Sequence, residues 1–198
     1  MSRSLALVIT LSLLAACHSS TPVTVPDGAR ICHGIPIPER AQVGGRDVSL
    51  NGVAVRDVTI FDVDVYVGAL YLEQPSPDAS TVVDSEQPKR VLLRFLREVT
   101  RTDITTAFRT GFVNNAGTER LGLETEIEQF LGYFSDLEEH AEMQFDYVPG
   151  TGMTVSVNGE LRGTIANPAF QRAFFLVFVG PQPPSEALKR GLLGGPCE

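Results

Sequence analysis

The three cysteines, Cys17, Cys32 and Cys197, are the residues of this chain whose chemistry depends most on their surroundings. A thiol can carry a covalent group, pair in a disulfide or bind a metal as a thiolate. His33 stands next to Cys32, but two scattered ligands lack the spacing of a metal site, so no metal and no cofactor is expected. The sequence also presents no Ser-His-Asp or Cys-His dyad. Lipid attachment and disulfide formation are therefore the two chemistries to weigh.

The residues before Cys17 predict that the N-terminus is removed. Arg3 supplies a positive charge, and residues 5–16 form an apolar run of twelve residues, shorter than the roughly 20 residues that a membrane-spanning helix needs. Such a segment is typical of a secretory signal peptide. Its end, Leu-Ala-Ala before Cys17, resembles the lipobox of bacterial lipoproteins, in which the peptidase cuts before the cysteine and a diacylglyceryl group is attached to its sulfur. An ordinary signal peptide followed by a coincidental cysteine is the alternative.

The lipobox resemblance implies a location as well as an anchor. Residues 1–16 would be the cleaved signal peptide, and residues 17–40 would contain the lipidated Cys17 and a polar, proline-containing tether. More than one lipid chain on the same residue gives strong membrane attachment. The protein is therefore expected in the bacterial periplasm, attached to a membrane. His18, in place of an aspartate after the cysteine, favours the outer membrane.

Charge and the remaining cysteines limit the kind of partner. Without residues 1–16 the chain has 182 residues, enough for a substantial core, and its 15 basic and 24 acidic side chains give a net charge of −9. An acidic chain without a basic cluster argues against nucleic acid or an anionic membrane surface as the main partner. In an oxidising compartment Cys32 and Cys197 are expected to form a disulfide, although the sequence also allows them to be merely near each other. Its long loop would stabilise the fold by about 4–5 kcal/mol in a simple entropic model.

Alternating apolar residues predict the strands. Asn51-Gly52, between two short apolar alternations, is typical of a tight hairpin. Residues 58–72 predict a long strand in which Tyr66 shares a face with acidic residues, and residues 89–99 predict another. Residues 142–165 predict a meander of three strands, since two turn sequences divide them.

Helical periodicity occupies the intervals between the runs of strands. Thr102 is expected to cap a helix that carries apolar residues at positions i, i+4 and i+8. A second helix is predicted over about residues 119–134, a third after the cap Asn167, and a last short one from Ser185. Strands in runs, with helices in separate pairs, predict an α+β fold in which helices pack on one face of an antiparallel sheet.

Four stretches of this chain resemble the chalcone isomerase-like family. They are LNGVAVRDVTIFDVDVYVGALYLE, KRVLLRFLREVTRTDITTAFRTGF, FDYVPGTGMTVSVNGELRGTI and AFQRAFFLVFVGPQPPSEALKRGLLG. The resemblance covers about residues 41–194 as one domain and leaves residues 195–198 as a tail. It implies an open-faced β-sandwich with a ligand cleft between the sheet and the helices. The family contains both isomerases and non-catalytic fatty-acid-binding relatives, so the fold does not decide the function.

An isomerase of this family uses polar groups that the resemblance does not find in this chain. In the plant isomerases an arginine polarises the substrate, a threonine and a tyrosine act at its carbonyl end, and an asparagine and a Ser/Thr hold the distal ring. By resemblance the arginine falls near Arg46. Three of the other polar positions fall near residues that cannot orient a polyphenol: Ile104, Gly111 and Val177. Each lost hydrogen bond costs on the order of 1–3 kcal/mol of transition-state stabilisation. An intramolecular lyase or isomerase is therefore kept as the alternative function, and whether the chain is an enzyme stays open.

The fatty-acid-binding relatives fit the chain better. In them an arginine in a G-x-G-x-R segment and a tyrosine on the following strand hold a carboxylate. Here residues 52–56, Gly-Val-Ala-Val-Arg, keep the first glycine and the arginine, Arg56, and Tyr66 is the candidate tyrosine. An arginine fork matches a carboxylate with two hydrogen bonds, and a tyrosine hydroxyl adds a third. The alternatives are a charge at a hairpin end for Arg56 and a solvated face for Tyr66.

Strand parity adds one more candidate. Arg94 and Arg97 have opposite parity in the predicted strand, so at most one of them points into a cleft. If the apolar residues before Arg97 face inward, Arg97 is a cation in need of an anion. Otherwise both arginines are surface groups paired with Glu98 or Asp103. Four phenylalanines at helical spacing either line an acyl tunnel or belong to an ordinary core: Phe108, Phe112, Phe174 and Phe178.

These features predict a non-catalytic periplasmic lipoprotein that binds a small amphipathic acid such as a fatty acid. Arg56 and Tyr66 would hold the polar head, with Arg46 and Arg97 as weaker candidates. The expected partners are this ligand and the membrane, through the lipid on Cys17. A protein partner stays open, because the third alternative is an envelope interaction module whose cleft is closed by core phenylalanines.

Overall fold

A seven-stranded antiparallel sheet forms the centre of the computed structural model, which describes residues 28–58 and 63–197. Two short strands, β1 (Ala29–Cys32) and β2 (Ile35–Pro38), pair as a separate hairpin. The strands of the main sheet follow one another in sequence order: β3 (Arg40–Val43), β4 (Arg46–Val58), β5 (Val63–Leu72), β6 (Lys89–Phe95), β7 (Glu142–Val148), β8 (Gly152–Val157) and β9 (Glu160–Ile165).

The helices pack on one face of this sheet, which confirms the α+β layout predicted from the sequence. They are α1 (Ala79–Asp84), α2 (Arg101–Asn115), α3 (Glu124–Leu131), α4 (Pro168–Val179) and α5 (Glu186–Leu192), and a 3₁₀ segment, Gly117–Gly122, precedes α3. Between helices and sheet lies a core rich in phenylalanine, in which the rings of Phe145 and Phe174 approach to 4.9 Å. In the described ranges every helix is too short or too polar to cross a membrane.

The helix ends follow local capping chemistry. Asn167 and Ser185 cap α4 and α5 as predicted, each accepting a hydrogen bond from a backbone N–H of the first turn. Thr102 is not the cap of α2, because Thr100 still has extended backbone and its hydroxyl accepts from the Asp103 N–H at 3.1 Å. The helix predicted over residues 119–134 is shorter, since its first part is the 3₁₀ segment.

The predicted hairpin at Asn51-Gly52 is wrong, because both residues lie inside the long strand β4. The pairing of β4 with β5 only shifts its register between Leu50 and Gly52. The hairpin lies earlier, at Gly44-Gly45, where both glycines have positive φ, 57° and 79°, and Val43 pairs with Arg46. Positive φ at both central residues is what a tight type I′ turn requires.

A distant helix explains why Asn51 and Gly52 are needed within a strand. The Asn51 amide donates to the Leu192 carbonyl at 2.8 Å and accepts from the Ser76 N–H at 2.7 Å. A Cβ at position 52 would lie 2.0 Å from the Gly191 carbonyl oxygen, so only glycine lets the end of α5 rest on β4. Asn51 and Gly52 therefore hold α5 against β4. The Asn-Gly pair is needed for this contact and does not form a turn.

The β1–β2 hairpin covers the face of the sheet opposite the helices. Ile37 of β2 is fully buried there, in a cluster with apolar residues of β4 and β5. The predicted disulfide between Cys32 and Cys197 is present and ties the hairpin to the chain after α5. Residues 29–38, which the sequence assigns to the tether, are thus part of the folded domain, because apolar burial and a covalent bond hold them to the sheet.

Candidate functional site: a cleft between the sheet and helix α2

A cleft of about 590 Å³ opens between the helix face of the sheet and helices α2 and α4. Its floor is formed by Arg56 of β4, Val65 and Tyr66 of β5, and Leu93 and Phe95 of β6. One side is the inner face of α2, and the far wall is the end of α4 with the loop that follows. The volume lies within the range of about 300–1,000 Å³ that is typical of small-molecule sites.

The floor is built around a row of three residues in adjacent strands. Arg56 of β4 is directly opposite Tyr66 of β5, and Tyr66 is directly opposite Phe95 of β6. Side chains in such positions stand about 4.5–5.5 Å apart at Cβ and share one face of the sheet. The Tyr66 and Phe95 rings meet edge to face, with their centroids 5.7 Å apart. The sequence therefore paired Arg56 with Tyr66 correctly on the helix side.

Neither polar group of this row has an ionic or hydrogen-bonding partner among the described residues. Within residues 28–58 and 63–197, the Arg56 guanidinium makes no ion pair and the Tyr66 hydroxyl makes no hydrogen bond. Burial raises the pKa of Tyr66 well above its usual range, and the positive charge of Arg56 opposes this in part. The phenol thus stays protonated at neutral pH. The row offers one fixed cation and one O–H donor to the cleft.

Arg97 also lines the cleft, but it lies at the exposed rim. Leu93 and Phe95 face the helices, as the parity argument supposed, but the strand predicted over residues 89–99 ends at Phe95, so Arg97 lies two residues beyond it. The expected alternative, pairing with Glu98 or Asp103, is not observed, although both carboxylates line the same rim. Arg97 is therefore a second guanidinium at the cleft without an ion pair to a described residue.

Arg46 is not brought to the cleft. It begins β4, ten residues before Arg56, so an extended chain separates the two by roughly 30 Å. Its guanidinium donates to a Glu73 carboxylate oxygen at 2.6 Å, near the far end of β5. The structure therefore places Arg46 at the far end of β4 from the cleft, paired with Glu73.

The three positions at which the isomerases would carry polar groups do line the cleft, and they are apolar. Ile104 and Gly111 lie on α2 and Val177 on α4. A Cβ at position 111 would be 2.6 Å from Val177 Cγ1, so α2 and α4 are in close contact at this point. Hydrogen-bonding groups for a polyphenol are thus absent at these three described positions.

The phenylalanines divide between the cleft and the core. Phe108 and Phe178 line the cleft, whereas Phe112 and Phe174 are 1 % and 0 % exposed and pack behind it. Phe108 stacks on Phe174 with the ring centroids 6.2 Å apart, so the apolar wall is continuous with the core. Two of the four phenylalanines that the sequence singled out can therefore contact a ligand.

The sequence missed the wall formed by the loop after α4. Gln182, Pro183 and Pro184 line the cleft there. Asn115, at the end of α2, holds this loop: its amide nitrogen donates to the Gln182 carbonyl and its amide oxygen accepts from the Gln182 N–H, both at 2.8 Å. Two prolines indicate a stiff loop, but no local pattern reveals a contact between residues 67 positions apart.

Two further points concern the N-terminal segment with Cys17 and the possibility of a metal site. Cys17 and the signal peptide lie outside the described residues, as do residues 59–62 between β4 and β5. In the part of the chain that the structure describes, no three His, Cys, Asp or Glu side chains are grouped so that they could hold a metal ion.

The fold and the cleft together define a known class of protein, a curled antiparallel sheet with helices on one face and a site between them. The model of the chalcone isomerase-like family matches residues 29–194, and the chain belongs to this family. A crystal structure of a fatty-acid binding protein from Arabidopsis thaliana is similar, with a TM-score of 0.64 over 81% of this chain and 92% of that chain. The two sequences are 12% identical, so this likeness shows the fold alone. No curated protein matches the sequence.

Proposed function

We propose that this protein binds a small amphipathic acid, such as a fatty acid, in the cleft and does not transform it. The observation that carries the proposal is the guanidinium of Arg56, which forms no ion pair with a described residue, beside the neutral hydroxyl of Tyr66 on the cleft floor. A carboxylate accepts two hydrogen bonds from an arginine fork and a third from a phenol. Such charge-assisted bonds are stronger than neutral ones, and binding would also relieve a partly buried cation.

The walls of the cleft suit the apolar part of such a ligand. Beyond the Arg56–Tyr66 pair the lining is mainly aliphatic and aromatic: Val65, Leu93, Ile104, Phe108, Val177 and Phe178. Transfer of a chain onto these surfaces gains about 25 cal/mol per Å² of apolar area. A polar end beside an apolar wall is the arrangement that an amphipathic acid requires.

Two observations favour binding over the alternatives. Ile104, Gly111 and Val177 line the cleft, and they cannot supply the hydrogen bonds that steer ring closure in an isomerase. An interaction module without a ligand would have its cleft filled by Phe112 and Phe174, but both pack in the core and leave the space open.

The proposal includes the location. Cleavage before Cys17, lipid on its sulfur, and residence in the periplasm at the outer membrane follow from the lipobox resemblance and His18. The Cys32–Cys197 disulfide supports an oxidising compartment. Mass spectrometry of the mature N-terminal peptide tests this part: a diacylglyceryl group on Cys17, lost together with membrane association in Cys17→Ser, is the expected result. An unmodified Cys17 in a soluble protein would contradict it.

Native mass spectrometry tests the binding itself. Residues 18–198 would be produced in a periplasm as the unaltered sequence, as Arg56→Ala and as Arg46→Ala. A co-purified acid is expected on the unaltered protein and on Arg46→Ala, because Arg46 lies away from the cleft. The acid should be absent from Arg56→Ala. A ligand-free mass for all three, or equal occupancy in all three, would contradict the assignment of Arg56.

A further inference from the structure

We infer that the preferred ligand carries a positive group beside its acid, as a zwitterionic single-chain lipid does. This inference rests on the proposed function and concerns the same cleft. It comes from the charged groups of the rim, which binding of a plain fatty acid leaves without a role.

Arginines elsewhere in the described chain commonly pair with carboxylates. Seven such pairs are formed outside the cleft: Arg30–Glu39, Arg46–Glu73, Arg90–Asp146, Arg94–Glu142, Arg109–Glu128, Arg162–Glu160 and Arg172–Asp84. The two arginines of the cleft differ from these. Arg56 and Arg97 form no ion pair with a described residue, even though two carboxylates line the same cleft.

Among the described residues that line the cleft, the charges are balanced. Arg56 and Arg97 contribute two positive charges, and Glu98 and Asp103 contribute two negative ones. Asp103 accepts a hydrogen bond from the Thr100 hydroxyl at 2.7 Å, which leaves its other carboxylate oxygen available, and Glu98 makes no bond to a described residue. The cleft therefore presents separated charges of both signs and not a purely cationic surface.

Burial sets the order of these charges. Arg56 and Tyr66 are half-buried, whereas Arg97, Glu98 and Asp103 are exposed. Arg97 and Glu98 follow the end of β6, and Asp103 belongs to the first turn of α2. The carboxylates thus lie nearer to the solvent than the Arg56–Tyr66 pair.

A zwitterionic head matches this order. Its anion reaches Arg56 and Tyr66, with Arg97 beside it, and its ammonium lies outward, next to Glu98 and Asp103. A phosphate with a bonded ethanolamine has this chemistry, because its free oxygens can accept from two arginines. A dianionic head would face two carboxylates of the same sign, and like charges so placed weaken binding.

The test compares three ligands that share one saturated chain: the fatty acid, lysophosphatidic acid and lysophosphatidylethanolamine. Calorimetric titration would use the full-length chain with Cys17→Ser, below the micelle concentration of each ligand. We expect lysophosphatidylethanolamine to bind about fivefold more tightly than lysophosphatidic acid, since exposed charge pairs have small effects. The preference should shrink by about twofold in each of Glu98→Gln and Asp103→Asn, and should also shrink in high salt. Glu138→Gln, an exposed glutamate outside the cleft, is the control and should leave it unchanged.

The outcomes separate this inference from the proposed function. Equal or tighter binding of either purely anionic ligand, or a preference that persists in the Glu98→Gln/Asp103→Asn double variant, overturns the inference. If the fatty acid then still binds through Arg56, the proposed function stands alone. Binding of none of the three ligands overturns both.

Discussion

Two tyrosines of strand β5, five residues apart, show how the two faces of the sheet differ. Tyr71 faces the β1–β2 hairpin, is 1 % exposed, and donates its hydroxyl hydrogen to the Pro38 carbonyl at 2.9 Å. Tyr66 faces the helices and has no hydrogen-bond partner among the described residues. The same side chain on the same strand is thus satisfied by the protein on one face and left available on the other.

The arginines of β6 and its extension repeat this difference. Arg90 and Arg94 face outward, and they bond Asp146 at 2.6 Å and Glu142 at 2.9 Å on the neighbouring strand. Arg97 faces the cleft and has no such acid. The outer face is closed by its own polar contacts, and we infer that its polar groups serve stability. Under the proposed function the open polar groups of the inner face serve binding, because unpaired charge near an apolar wall is costly unless a ligand compensates it.

The largest effect should come from the covalent bond that holds the outer face. The Cys32→Ser/Cys197→Ser double variant frees the β1–β2 hairpin, and loss of a crosslink across 165 residues should lower the free energy of unfolding by up to about 5 kcal/mol. Urea unfolding measures this change. Affinity for the ligand, measured where the variant remains folded, should stay the same. A variant as stable as the parent, or one that is folded but no longer binds, would break the division between the two faces.

A smaller effect concerns Lys89, a fully buried cation on the helix side. Its ammonium donates to the Val82 and Ser85 carbonyls and the Gln171 side chain at 2.9, 3.0 and 2.9 Å. Burial lowers the pKa of Lys89 from 10.5 to about 8. Between these values the unfolded chain binds more protons than the folded one, so stability should rise with pH, on the order of 2 kcal/mol from about pH 8 to pH 10.

The chain contains only one other lysine, Lys189, so the rise in stability can be assigned to Lys89 by comparing variants of the two lysines. Urea unfolding at a series of pH values should show it in the parent and in Lys189→Met but not in Lys89→Met. Above about pH 10 the raised pKa values of Tyr66, Tyr71 and Tyr147 should reverse the trend, because the unfolded tyrosines ionise first. A flat profile in the parent would show that burial does not lower the pKa of Lys89.

The smallest effect separates the two tyrosines themselves. Tyr71→Phe leaves the Pro38 carbonyl without its donor and should lower the free energy of unfolding by about 1 kcal/mol, without a change in affinity. Tyr66→Phe removes no bond within the described protein and should leave stability unchanged while it weakens ligand binding about fivefold. Thermal unfolding and calorimetric titration of both variants measure these changes. The reverse assignment of effects would contradict the comparison.

Local patterns predicted the layout and much of the site. The period of two grouped the residues of each face of β5 and β6 but left open which face Tyr66 occupies, and capping chemistry placed Asn167 and Ser185. The sequence could not reveal contacts made across the fold. Asn51 bonds to a residue 141 positions away, so its turn-like pattern was misinterpreted.

The β1–β2 hairpin escaped prediction for a related reason. Its residues 29–38 are short on regular periodicity and contain one glycine and two prolines, which is also typical of a tether. Contacts made across the fold fix them in place: the burial of Ile37, the hydrogen bond from Tyr71 to the Pro38 carbonyl and the disulfide of Cys32. Arg46 was selected by resemblance alone. Its partner, Glu73, directly follows β5, and no local pattern in the sequence brings the two residues together.

A double-mutant cycle on Arg56 and Tyr66 tests the central claim most directly. Calorimetric titration with one fatty acid would be done on the parent, Arg56→Ala, Tyr66→Phe and the double variant, with Arg46→Ala as control. Because one carboxylate should bond both groups, we predict that Arg56→Ala weakens binding about tenfold or more and that the double variant loses less than the sum of the single changes. Arg46→Ala should bind as the parent does. Unchanged affinity in Arg56→Ala, or strictly additive losses, would contradict a shared carboxylate site.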